Sequence, residues 1–131
     1  MSRDNNVPGS AADWIARARG DLAIAKAPLP EEAFLEDLCF HAQQAAEKAL
    51  KAVYIRFGWT FRYTHDLEIL TAGILEKGLD VPSDVLEGIE LTGFAWEARY
   101  PGLSEPITEE EYRKALLQAQ RILDWAAEIV Q

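Results

Sequence analysis

Residues 39–51 read CFHAQQAAEKALK, and their spacing decides the kind of fold this chain adopts. Cys39, Ala42, Ala46 and Ala49 recur at intervals of three and four, and Val53 extends the row. That period is helical, because residues three and four apart share one face of an α-helix. Side chains this short let two helix axes approach closely, so the stripe predicts a helix packed tightly on its neighbours. The helix begins within residues 31–36 and continues to about Phe57, with Gly58 as its C-terminal cap.

Working outward, the rest of the chain also reads as helix. Ser10 with Asp13 suggests a capping box, opening a helix that runs to about Lys26 and buries Ile15, Ala18, Leu22 and Ala25. Pro28 and Pro30 stop it. Thr64 is the expected N-cap of a third helix carrying Leu67, Leu70 and Ile74 and closed by Gly78. Pro82 and Ser83 open a fourth, with Leu86, Ile89 and Trp96, ending near Tyr100 because Pro101 follows. Thr108 and Glu111 make another capping box. Beyond them Tyr112, Leu116, Ala119, Leu123, Ala126 and Val130 form the seam of a last helix. Strand-like alternation is nearly absent. The expected fold is all-α: an up-and-down antiparallel four-helix bundle with one additional shorter helix, built from residues 10–131 after a flexible tail at 1–9.

Composition narrows the function classes. The chain has 131 residues, 49% of them hydrophobic and 27% charged, which suits one globular domain. A formal charge of −9 argues against bulk nucleic-acid binding, which depends on Lys and Arg displacing counterions from phosphates. The basic run Lys48, Lys51, Arg56 and Arg62, with no acid between Lys48 and His65, leaves room for a local anion site. No apolar run is long enough to span a bilayer, no secretory signal opens the chain, and the single Cys39 excludes an internal disulfide. A cytoplasmic protein without a membrane partner is expected. Cys39 falls on the apolar stripe and reads as an inert core thiol. With two histidines on different elements, neither a metal site nor a cofactor is expected.

Beside the alanine stripe lies a second row: His41, Gln44, Lys48 and Lys51. One helix face then carries hydrogen-bonding and cationic groups over about three turns. Such a strip suits a phosphate, a nucleobase edge or an acidic partner. It also suits a helix–helix seam, with His41 and Gln44 satisfying polar groups while the lysines reach water. Trp14, Trp96 and Trp125 read as core. Trp59 and Phe61 either cover the bundle end or contribute to a dimer surface.

The run FHAQQAAEKALKA at residues 40–52, Tyr54 and the tetrad Thr64, His65, Asp66, Leu67 resemble the HEPN domain family. Trp14, Ala18, Asp21, Leu22 and Ala25 are similar to that family's opening helix, and Arg99, Tyr100 and Pro101 to the end of a later one. The resemblance spans roughly residues 12–130. It implies either of two occupations. Many members are metal-independent endoribonucleases of toxin–antitoxin or defence systems, carrying an arginine, four to six residues and a histidine, usually across a homodimer. Others lack the motif and act as nucleotide-binding or accessory subunits beside a small nucleotidyltransferase.

This chain departs from the ribonuclease pattern. With four to six residues between, the histidine after Arg99 would fall at Ser104, Glu105 or Pro106. Arg56 and Arg62 stand at the wrong distances from His65. Metal-free RNA cleavage needs a base, an acid and a cation around the phosphorane, and no catalytic residue is assigned here. The expectation is a non-catalytic homodimeric module that binds a nucleotide or a nucleotidyltransferase partner. Its ligand-binding candidates are His41, Gln44, Lys48 and Lys51, with His65, Arg99 and Tyr100 as neighbours. The alternatives are an endoribonuclease toxin with an atypical His and Arg pair, and a dimer scaffold. His65 and Asp66 also suit a purely structural role at a helix start, and Arg99 a bond to helix-terminal carbonyls.

Overall fold

A computed structural model describes residues 7–95 and 105–131. Among them the regular structure is entirely helical: α1 (Ala11–Lys26), α2 (Leu35–Phe57), α3 (Leu67–Glu76), α4 (Ser83–Leu86), a 3-10 helix (Glu87–Phe94) and α5 (Glu109–Val130). None is long and apolar enough to cross a membrane. Trp96, Arg99, Tyr100 and Pro101 lie outside the described residues, as does most of the tail at 1–9.

The ends obey local chemistry. Ser10 Oγ accepts from the Asp13 amide, while the Asp13 carboxylate turns back to the Gly9 amide. Thr108 and Glu111 form the full reciprocal box at the start of α5. Gly58, at φ 72°, closes α2 in the left-handed conformation that favours glycine. The expected cap of α3 moves by two residues. Asp66 is the N-cap, accepting from the Glu68 amide, and Thr64 Oγ1 accepts from Asp66 N–H one step earlier.

Side-chain links fix the directions of the rods. Trp14, at the start of α1, meets Phe61 just beyond the end of α2. The Tyr112 hydroxyl, at the start of α5, donates to the Ala25 carbonyl at the end of α1. Glu36 accepts from the Ile107 amide, so α2 and α5 begin at the same end. Gln118 reaches Glu87 and Glu90, and Lys114 reaches Glu90, so the 3-10 helix runs antiparallel to α5. Together α1, α2, the 83–94 segment and α5 run up, down, up, down, with α3 as the shorter extra helix. The fourth rod differs in kind from the continuous α-helix expected. After one α turn it continues as 3-10 helix, a tighter winding used in short pieces. Gly88 lets it lie against α5, because a Cβ there would meet the Ile122 side chain at 2.5 Å.

Helix α2 is the centre of the molecule. Cys39, Ala42, Ala46, Ala49 and Val53 are fully buried, and so are Ala45, Leu50 and Ala52 on its other sides. Ile15, Ala18, Leu22 and Ala25 cover it from α1, and Ala115, Ala119, Ile122, Leu123 and Ala126 from α5. The alanines permit this close approach on more than one face. Trp14, Trp59, Phe61 and Trp125 pack partly buried against the same core.

Candidate functional site

Two buried carboxylates organise the polar face of α2. Asp21, on α1, accepts from His41 Nδ1 at 3.0 Å with one oxygen and from Lys48 Nζ at 2.6 Å with the other. Glu47, on α2 itself, accepts from His65 Nδ1 at 2.8 Å and from Lys51 Nζ at 2.8 Å. Gln43 and Gln44 complete the second cluster. Gln43 Nε2 donates to Glu47 and to the His65 carbonyl, and Gln44 Nε2 donates to Gln43 Oε1 and Glu47. No buried side-chain nitrogen or oxygen among the described residues lacks a hydrogen-bond partner. That completeness offsets the desolvation of the two acids.

The row His41, Gln44, Lys48 and Lys51 therefore does not stand as one free cationic strip. His41 and Lys48 bond to Asp21 on α1, while Gln44 and Lys51 bond to Glu47, which also holds His65. Lys51 is buried, with its ammonium near the rings of Phe61 and Tyr63 as well as on Glu47. Only about a third of the His41 and Lys48 side chains, and about half of that of His65, meet solvent. The result is a polar face of α2 with one cluster tied to α1 through Asp21 and the other tied to residues 61–65 through Glu47 and Lys51.

Burial alone would raise the Glu47 carboxyl pKa. The hydrogen bonds from Lys51, His65 and Gln43 and the charge of Lys51 outweigh it and hold the carboxyl below the ordinary glutamate range. Glu47 is thus the ionised anchor of its cluster. Each histidine faces a carboxylate with Nδ1, and a hydrogen bond donated there by Nδ1–H orients the ring.

Of the seven candidates read from the sequence, five are placed in these two clusters: His41, Gln44, Lys48, Lys51 and His65. Arg99 and Tyr100 fall outside the described residues. The residues that sequence reasoning left without a role are Asp21, Gln43 and Glu47. One signal was present: Glu47 and Lys51 stand four apart in the favourable acid-then-base order along a helix. Asp21 offered less, since only the packing of α1 on α2 brings it to residues 20 and 27 positions away.

The HEPN domain family model matches residues 11–130, nearly the whole chain. The chain belongs to the HEPN family. An archaeal HEPN homologue of known crystal structure superimposes with a TM-score of 0.72 at 28% identity, covering 93% of this chain and 98% of the homologue. No curated protein matches.

Proposed function

We propose that this HEPN chain is a binding module that takes a nucleotide-like anion at the polar face of α2, beside the Asp21 and Glu47 clusters. It acts as a homodimer in concert with a small nucleotidyltransferase, as accessory subunits of its family do. One observation carries the reading: His41 and Lys48 keep 33% and 30% of their side chains exposed while the buried Asp21 carboxylate holds His41 Nδ1 and the Lys48 ammonium in place. Basic groups fixed in this way are preorganised toward solvent, and a phosphate entering there meets donors that need little reordering. Polar clusters anchored on buried acids also concentrate at functional sites.

Thermal melting with a panel of nucleotides tests this directly. A ligand selective for the folded state raises the midpoint, and Lys48→Ala and His41→Ala diminish that rise. No shift with any nucleotide, together with no capture of a co-expressed nucleotidyltransferase, contradicts the proposal.

A second reading draws on the two carboxylate–histidine pairs, Asp21 with His41 and Glu47 with His65. A carboxylate on Nδ1 is the arrangement that orients an imidazole for proton transfer. On this reading the chain cuts RNA without the arginine–histidine spacing of its relatives. Incubation with total RNA separates the two: cleavage lost in both His41→Ala and His65→Ala supports the enzyme, and an inert wild type removes it.

A further inference from the structure

The loop from Gly58 to Thr64, GWTFRYT, sets Arg62 between the aromatic Phe61 and Tyr63, whose rings lie near Lys51. Tyr63 is 102% exposed, as open as a residue can be in a folded chain. Its neighbour Phe61 is held from two sides, edge-on by Trp14 at 6.1 Å and by Tyr54 at 5.6 Å between ring centres. Lys51 Nζ lies 5.7 Å from the Tyr63 ring centre and 5.4 Å from that of Phe61, which ties the open ring to the fixed one. Arg62 is exposed between them in the sequence, and among the described residues it makes no ion pair, while Arg56 lies over the Phe57 ring.

That combination is unusual on a surface carrying a net charge of −9. An exposed arginine on so acidic a chain can take an outside anion, and a ring left in water keeps a face free for an outside partner. An aromatic face beside a cation is the pairing that receives an unpaired base and its phosphate, since every base presents a π-face and every nucleotide an anion.

We propose that Tyr63 and Arg62 form a stacking subsite for an unpaired nucleobase, with Arg62 on the adjoining phosphate. This deepens the proposed anion site and rests on it, with Arg62 as a second cation beside the one Lys48 supplies. The ligand is a base with a phosphate, presented either by a free nucleotide or by a single strand of RNA.

Full-length protein is titrated against a fluorescein-labelled ten-residue oligouridylate, against a duplex of the same length, and against uridine and adenosine monophosphates by calorimetry. The single strand should bind and the duplex should not. Tyr63→Ala should weaken binding about tenfold or more, the usual effect of removing one stacking ring, while Tyr63→Phe stays within about twofold. Arg62→Gln should flatten the salt dependence by about one unit of slope. Equal affinity for monophosphate and oligomer identifies the free nucleotide as the source, and tighter binding of the oligomer identifies the strand. Both support the subsite. Binding that Tyr63→Ala leaves unchanged, or duplex binding as tight as single-strand binding, overturns it. Lys48→Ala in the same titration separates the readings. Loss with Lys48→Ala but not with Tyr63→Ala leaves the anion site and removes the subsite, and the reverse leaves the subsite and removes the anion site. A wild type that binds no probe overturns both.

Discussion

Glu47 Oε1 and His65 Nδ1 lie 2.8 Å apart, fastening the central helix to the loop that enters α3. The other oxygen of the same carboxylate takes Lys51, whose side chain is only 7% exposed. Glu47→Ala would leave that ammonium buried without its counter-charge. A loss of about 3–5 kcal/mol is expected from urea unfolding, in line with breaking a buried pair from one side. Replacing both partners, Glu47→Leu with Lys51→Met, should recover most of it. A loss below about 1 kcal/mol for the single variant would show that Lys51 reaches water.

The same carboxylate sets an acid limb of stability. Its pKa in the fold is depressed, so it contributes stability above the ordinary glutamate value of about 4.3 and loses it as pH falls through the folded value. Glu47→Gln lacks this component. The stability advantage of wild type over Glu47→Gln should therefore be fully present at neutral pH and shrink in the acid range. Urea midpoints measured from pH 7 to pH 3 check it, and a constant difference contradicts it.

Gly73 faces the Tyr54 ring so closely that a Cβ would overlap the tyrosine hydroxyl, which donates to the Leu70 carbonyl. Gly73→Ala should cost about 1–3 kcal/mol despite the better helix propensity of alanine. Removing the hydroxyl makes room. In a double-mutant cycle by thermal or urea unfolding, Gly73→Ala is expected to cost clearly less on a Tyr54→Phe background. Additive losses would place the clash elsewhere.

Asp66, rather than Thr64, caps α3. Asp66→Ala should lower stability by about 1 kcal/mol, and Asp66→Asn by only a few tenths, because asparagine also accepts from the second helical amide. Circular dichroism melts of the three proteins distinguish a cap from a bystander.

Much of the architecture was legible because helices announce themselves locally. The alanine row of α2, the Thr108 and Glu111 box of α5 and the glycine after Phe57 are short-range signals, and each appears where its chemistry requires. The 83–94 segment was less legible. Its apolar spacing fits an α-helix, but the chain winds as 3-10 helix beyond Leu86, close against α5 at Gly88. The site was legible in its donors and not in its acceptors. His41, Gln44, Lys48 and Lys51 share a helical period, whereas Asp21 gives no sign in the sequence of which residues it will meet.

By itself the sequence determined that α1, α2 and α5 are amphipathic or buried helices, where they begin and end, and that one face of α2 carries polar and basic groups. Periodicity and capping settle these within a few residues of each position. Only the tertiary structure decided how that face divides, because the rotation of α1 against α2 sets which side chains Asp21 meets. His41 and Lys48 went to Asp21, and Lys51 and His65 to Glu47. The same packing left Tyr63 open to solvent beside an exposed Arg62. Charge pairing between elements depends on distances of a few ångströms across a helix seam, and those are fixed by how the cores interlock.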